Sequence, residues 1–296
     1  MKNPAVSVIL VNFNGFKDTV ECIKSLKQIN YDNYNIIVVD NGSTLKPHEK
    51  ELQYIFDNSY YIKTNENLGF SGGNNVGITA AINNAAEYIL LLNNDTVVTS
   101  QFLNILVDEA KRRDNKAIIT GKIYYYANQR EIWYGGGWYD FKKGIGCHER
   151  NHMIDEKNQS PSVRSISFAT GCMMLIPVQL INDIGLLDES FFLYAEDTEY
   201  CLRALKNKNK IYFCENAIIY HKVSRSTTKM STPALYYMIR NSIRVAKKYS
   251  NSKIGPLIYW AIFCLKRVVK RELPINTGVK AFIAGLKDEK GPIQLL

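Results

Sequence analysis

Two acidic side chains in succession, Glu196 and Asp197, follow the apolar aromatic run Phe191-Phe192-Leu193-Tyr194, and His221 comes 24 residues later. A carboxylate in apolar surroundings tends towards a raised pKa, which is what a general base needs. His221 could complete a metal site or bind phosphate. The same residues also read as an acidic helix start and a packing histidine. A further carboxylate, Asp95, closes the triplet Asn93-Asn94-Asp95 directly after the apolar run Tyr88–Leu92. Such an oxygen ligand suits Mg²⁺ or Mn²⁺ with room left for substrate phosphates, and it equally suits a helix cap. Asp40-Asn41-Gly42-Ser43 ends another apolar run. Asp40 there could accept hydrogen bonds from a base edge or a ribose, although the tetrapeptide is also turn chemistry. Residues 65–77 (NENLGFSGGNNVG) are rich in Gly and Asn. Gly69, Gly72 and Gly73 would let backbone approach a ligand ahead of a helix whose N-terminus favours phosphate. The segment matches neither the dinucleotide fingerprint nor the Walker lysine motif, so a plain loop fits it too.

These residues need elements to hold them. Val6–Val11 and Asn35–Asp40 are continuous apolar, β-branched runs, as expected for strands buried on both faces. Tyr60–Lys63 and Tyr88–Leu92 read as further strands, Phe16–Leu26 and Asn74–Ala86 as helices. That order predicts an α/β fold: an open, largely parallel sheet with helices on both faces. Such sheets bind ligands at the carboxyl ends of their strands, where Asp40 and Asp95 fall. Beyond residue 116 the rhythm changes. Ala117–Tyr125 reads as a strand, residues 134–146 (YGGGWYDFKKGIG) as a hairpin or loop, and Glu196–Lys206 as a helix. Ile211–Phe213 and Ala217–Tyr220 read as two short strands, and Pro233–Lys248 and Pro256–Lys270 as basic helices.

The 296 residues suffice for one large domain with an appendage, or for two domains, and 46% apolar content excludes a disordered chain. No run of about 18 apolar residues predicts a membrane-spanning helix, and the N-terminus lacks the pattern of a signal peptide. Six scattered Cys without a C-x-x-C pair suggest reduced thiols in the cytoplasm. The net charge of +9 is uneven. Residues 222–296 carry 15 basic and 3 acidic side chains, so +12 belongs to the last quarter. A basic block points to an anionic partner or to a solvated helical face. Pro256–Lys270 suits an interfacial helix on anionic lipid, or a helix packed on the protein's own core. No nucleic-acid-binding module matches.

In order and spacing these clusters resemble the family 2 glycosyltransferases, inverting enzymes of the GT-A fold, above all the subset that transfers rhamnose and related sugars onto bacterial surface polysaccharides. The resemblance is carried by VSVILVNFN (6–14), IIVVDNGS (36–43), NLGFSGGNN (67–75), LLLNNDTVV (90–98), GCMMLIP (171–177) and IGLLDESFFLYAEDTEYCLRA (184–204), and it runs on to His221. It implies a GT-A domain over 1–222, with a nucleotide-sugar half (1–98) and an acceptor half (99–222), followed by a basic helical region over 223–296. It implies that Asn12, Phe13, Asp40, Asn41, Gly69, Asn74 and Asn94 line the donor site. Asp95 and His221 would hold Mn²⁺ or Mg²⁺. Asp197 would be the general base, with Glu196 beside it and Gly171 and Arg203 towards the acceptor. The implied activity is metal-dependent transfer of one sugar, with inversion, from dTDP-rhamnose or a UDP-sugar to a glycan or undecaprenyl-linked glycan. The implied place is the cytoplasm or the inner face of the cell membrane. Two departures stand out: Asn-Asn-Asp replaces the common Asp-x-Asp, and the Gln-x-x-Arg-Trp motif and membrane helices of processive members are not found. The first leaves a second reading, a catalytically silent nucleotide-sugar-binding scaffold of the same fold. A third, a nucleotidyltransferase, would need a phosphate-binding lysine pattern that the sequence lacks.

Overall fold

The computed structural model describes residues 3–155, 162–223 and 230–293. The first half alternates β1 (Val6–Asn12), α1 (Phe16–Leu26), β2 (Tyr34–Asp40), α2 (Glu49–Asn58), β3 (Tyr60–Lys63), α3 (Gly69–Asn83) and β4 (Tyr88–Leu92). All five residues of β4 are buried, as are six of the seven in β1. Their continuous apolar runs follow from being covered on both faces. In α1 one face (Phe16, Thr19, Val20, Cys22, Ile23, Leu26) is buried, at helical spacing. Strands β3, β2, β1 and β4 lie in that order and pair in parallel. This brings Asn12, Asp40 and the turn after Leu92 to one edge of the sheet.

The second half adds β5 (Thr96–Val98), α4 (Phe102–Arg112), β6 (Ala117–Tyr125), β7 (Asn128–Tyr134), β8 (Gly137–Asp140), β9 (Ile145–His148), β10 (Val163–Ile166), β11 (Met173–Pro177), α5 (Val178–Ile184), α6 (Glu196–Lys206) and β12 (Lys210–His221). Strand β11 runs antiparallel between β4 and β6, and β12 pairs with β6 in parallel, so the sheet is mixed. The expected hairpin is β8–β9. The two short strands expected over 211–220 are one strand, β12, with a register shift between Cys214 and Ile218. The shift is accommodated by Gly121 opposite, where a Cβ would stand 2.1 Å from the Ala217 carbonyl oxygen. The shift segment is not solvent loop, because its Glu215 is buried against Lys122 (2.5 Å) and Arg150 (2.9 Å).

Helix α3 starts at Gly69 rather than Asn74, so residues 69–77 of the Gly/Asn segment form its first turns and only residues 65–68 precede it as loop. Its glycines serve close packing. A Cβ on Gly77 would lie 2.5 Å from Ile9, and one on Gly73 2.9 Å from Val11. Gly69 has φ +73 and sits against the Phe192 carbonyl, 2.2 Å from where a Cβ would be.

The chain ends with α7 (Thr232–Tyr249), α8 (Ile254–Val269) and α9 (Ile275–Lys287). These helices share an apolar core around Leu235, Ile239, Ile243 and Trp260, which Phe192 and Leu193 also join. The side chain of Asn241 on α7 donates to the Leu193 and Tyr194 carbonyls at 2.8 and 3.1 Å. The basic region is therefore fastened to the segment that leads into α6. All six cysteines are free thiols. Among the described residues no helix is long and apolar enough to cross a membrane.

Candidate active site

The carboxyl edge of β1, β2 and β4 opens into a cavity of ≈ 480 Å³, whose wall includes Phe13, Asn41, Gly69, Asn74, Asn94 and Asp95. Phe13 is 47% exposed, which is unusual for a large aromatic ring and leaves its face free to stack. Asn12 and Asp40 are buried just behind this wall. The Asn12 amide donates to Asp40 (3.3 Å) and to Ser43 Oγ (3.2 Å), while its oxygen accepts from Gly15 N (3.0 Å) and Thr19 Oγ1 (3.1 Å). Asp40 also accepts from Tyr61 OH at 2.8 Å. Asn41 holds the start of α3: it donates to the Gly69 carbonyl (2.9 Å) and accepts from Leu68 N (3.0 Å). The amides of Gly69 and Phe70 are likewise committed, to Asn67 Oδ1 (2.9 Å) and to the Phe192 carbonyl (2.8 Å). These amides are not free for a phosphate, contrary to the expectation for a helix N-terminus. Asn74 donates to the Phe70 carbonyl at 2.9 Å, and Asn94 to Thr19 Oγ1 at 2.9 Å. The Asn94 amide thus braces the turn after β4 against α1.

Asp95 Oδ1 lies 3.0 Å from His221 Nε2, joining the end of β4 to the end of β12. Burial works against the Asp95 carboxylate, but the His221 hydrogen bond and charge, with Lys222 nearby, hold its pKa below the usual range. Burial likewise opposes the His221 charge, and Cys172 and Asp95 outweigh it, pushing the imidazole up to about 10. The other ring nitrogen, Nδ1, is buried without a partner. Among the described residues no group of three His, Cys, Asp or Glu is placed to hold a metal ion. A cation held mainly by phosphate oxygens, as Mg²⁺ usually is, fits this pair only by displacing the imidazole proton, since a ring nitrogen ligates a metal in its neutral form.

A second cavity of ≈ 490 Å³ contains Glu196, Asp197 and His221 and shares Phe70, Asn93, Gly171 and Leu193 with the first. The acidic pair opens α6 after Tyr194 and Ala195, both left-handed at φ 65 and 68. Two such residues in a row turn the chain sharply and aim the helix start into the cavity. Asp197 accepts from Gly171 N (3.1 Å) and Thr198 N (2.7 Å). Burial raises its pKa, and these donors act against the rise. Glu196 Oε2 is buried with no partner. Its pKa stands well above the ordinary carboxylate value, first through burial and then through the Asp197 charge. Burial raises both carboxyls, but Asp197 has backbone donors that favour its charged form while Glu196 Oε2 has no partner, so the environment favours the proton on Glu196 over Asp197. A group whose folded pKa is raised loses stability as pH climbs from the unfolded value to the folded one. Glu196→Gln, which has no proton to lose, should therefore melt at a higher temperature than wild type at pH 8. The gain should be on the order of 1–3 kcal/mol and should vanish near pH 4. Parallel thermal scans at the two pH values decide this, and an equal gain at both would refute it.

Arg203 does not reach either cavity. It pairs with Glu199 at 2.8 Å and donates to the Ile184 and Leu186 carbonyls at 2.7 and 2.8 Å, closing the end of α5. At i, i+4 on α6 it finds a carboxylate on its own helix. Other residues do line the second cavity. Trp133 stands edge-on between the His148 and His221 rings, at 4.6 and 4.5 Å. Met238, Ser242 and Val245 contribute from α7. No spacing signal marks them, because they come from a hairpin and from a helix beyond residue 222. Residues 156–161, between β9 and β10, lie outside those described.

The sequence profile of glycosyl transferase family 2 matches residues 7–185. The low-salt glycan biosynthesis hexosyltransferase Agl10 of Haloferax volcanii is 26% identical, over 88% of this chain and 81% of its own. The dTDP-rhamnosyl transferase RfbF of Shigella flexneri is 23% identical, over 83% of this chain and 81% of its own. In fold the chain resembles GalNAc-T7, solved with UDP, GalNAc and Mn²⁺, with a TM-score of 0.70 and 14% identity over 97% of this chain and 58% of that one. The profile match over β1 to α5 covers the carboxyl edge of β1, β2 and β4 described above, and the chain belongs to glycosyl transferase family 2.

Proposed function

We propose that this glycosyltransferase moves one sugar, with inversion and with a divalent cation, from dTDP-rhamnose or a UDP-sugar to a glycan or lipid-linked glycan acceptor of bacterial surface polysaccharide. The observation that carries this reading is the meeting of the two cavities at Gly171: Asp95 stands on one side of it and Asp197 on the other. In this arrangement Phe13 stacks on the nucleobase, Asn41 lines the base and ribose end with Asp40 buried behind it, and Gly69, Asn74 and Asn94 shape the wall. Asp95 and His221 would hold Mn²⁺ or Mg²⁺, which when bound neutralises charge on the diphosphate. Asp197 takes the proton from the acceptor hydroxyl as that oxygen attacks the anomeric carbon from the face opposite the leaving group. Protonated Glu196 keeps a second negative charge away from Asp197. Calorimetric titration of UDP, dTDP and GDP, each with and without Mn²⁺, tests the donor side. Tight, metal-dependent binding of one pyrimidine nucleotide is expected, and no binding of any of them would overturn it.

A lipid-linked acceptor calls for contact with a membrane surface. Helix α8 exposes Ile254, Ile258, Ile262, Leu265 and Val269, and α9 exposes Ile275, Val279, Ile283 and Leu286, although Trp260 between them is fully buried. Lys266, Arg267, Lys270 and Arg271 follow directly. An apolar row flanked by cations suits an anionic bilayer surface. Sedimentation with vesicles containing phosphatidylglycerol should carry the protein down. Leu265→Glu should weaken that binding by about tenfold. Absence of wild-type binding would remove this element and leave the donor chemistry standing.

A further inference from the structure

A third cavity, of ≈ 560 Å³, lies far along the chain from the donor residues, between α7, α9 and residues 289–293. Its wall carries Arg240, Lys280 and Lys290, with Tyr236, Thr232 and Thr277 supplying hydroxyls. Arg240 is only 2% exposed. Nε donates to Asn241 Oδ1 at 3.0 Å and an Nη to the Gly291 carbonyl at 2.8 Å, and the guanidinium faces the Tyr237 ring at 5.1 Å. None of these partners is charged. Arg244, one turn further on, pairs with Asp288 at 2.8 Å, but among the described residues Arg240, Lys280 and Lys290 have no ion pair. Glu289 is the one carboxylate on the wall, and it pairs with none of the three. Burial works against the Arg240 charge and Arg244 adds to that, while Tyr236, Tyr237 and the more distant Glu289 carboxylate offset only part of it, so the net effect lowers its pKa. A buried cation without a counter-ion is costly, so such groups are normally paired or bind an anion.

We propose that this cavity is an anion site for a phosphate monoester or diphosphate group. The guanidinium offers planar donors to phosphate oxygens, the two lysines add charge at the mouth, and the hydroxyls can accept or donate as the ligand requires. Its position suggests where the phosphate comes from. Lys280 directly follows Val279, about 100° round α9, and Val279 belongs to the exposed apolar row. A phosphate seated there would lie at the border of that row, at headgroup level. A soluble diphosphate would satisfy the same residues. The site shares no wall residue with the donor cavity and does not depend on the transferase reading.

The test compares wild type with Lys280→Gln/Lys290→Gln, two exposed positions whose change leaves the fold intact. Metal-free calorimetry with inorganic pyrophosphate forms one arm. Partition onto vesicles containing phosphatidic acid or phosphatidylglycerol, matched in surface charge, forms the other. The double variant should bind pyrophosphate about tenfold more weakly, or lose the preference for phosphatidic acid over phosphatidylglycerol by about that factor. Loss in the first arm alone assigns a soluble ligand, and loss in the second alone assigns a headgroup. No wild-type binding in either arm, or equal behaviour of both proteins in both arms, overturns the site. Mn²⁺-dependent UDP binding, measured alongside, reports separately on the donor cavity.

Discussion

Asp197→Asn should lower sugar transfer by about 10²–10⁴-fold, the usual worth of a general base. Nucleotide affinity should stay within about twofold, because the loss falls on the chemical step and not on binding. The side chain sits where the two cavities join, and both of its oxygens accept backbone hydrogen bonds, from Gly171 and Thr198. Those donors hold the carboxylate in one orientation and favour its ionised form. Asparagine has the same shape but cannot take a proton from a hydroxyl. Its NH₂ group would also face one backbone N–H, so a modest fall in thermal midpoint should accompany the loss of rate. Retention of more than about a tenth of wild-type turnover would exclude Asp197 as the base. The pH profile gives an independent check. A base works deprotonated, and the Asp197 pKa is raised by burial. Activity should therefore fall on acidification at a pH above the ordinary carboxylate value of about 3.9. An acid limb at or below that value would contradict the buried, charged setting.

Much of this arrangement was legible in the sequence, and for identifiable reasons. Strands β1, β2 and β4 are covered on both faces, so their apolar runs are unbroken and their ends are sharp. Helices α1 and α6 start and stop where their periodicity does. Because ligands gather at the carboxyl ends of parallel strands, Asp40 and Asp95 were readable as site residues from strand ends alone. Three features were hidden. The start of α3 was read as a loop because glycine and asparagine disfavour helices locally, while here tight packing on β1 and the Asn41 side chain override that preference. The continuity of β12 depends on Gly121, nearly a hundred residues away, so no local pattern announces it. For Arg203 the i, i+4 partner Glu199 is local, but the two carbonyls at the end of α5 become neighbours only once α6 folds beside that turn. The second cavity was the least legible part, since its wall joins a hairpin, α6 and α7 across more than a hundred residues.

Asp95→Ala should abolish the Mn²⁺-dependent part of UDP or dTDP affinity, an expected loss of about 100-fold, and leave the metal-independent part intact. The metal-independent part comes from Phe13, Asn41 and the Gly69 wall, which do not touch Asp95's carboxylate. Of the triplet 93–95 only Asp95 is anionic, and Asn94 is already engaged with Thr19. No neighbour can therefore substitute for the lost charge. Removing the carboxylate also strips the buried His221 of its ion-pair partner at 3.0 Å, which by itself costs stability. A fall in affinity could then reflect a loosened β4–β12 junction rather than a lost ligand. Asp95→Asn separates the two causes. The amide can still accept a hydrogen bond from His221 Nε2, and the Asp95 backbone carbonyl keeps its bond from Lys222 N at 2.9 Å. The Asn variant should therefore melt closer to wild type than the Ala variant does, yet lose as much of the Mn²⁺ effect. Unchanged Mn²⁺-dependent affinity in both variants would place the cation elsewhere. Recovery of the effect in Asp95→Asn alone would show that the position serves geometry, not charge.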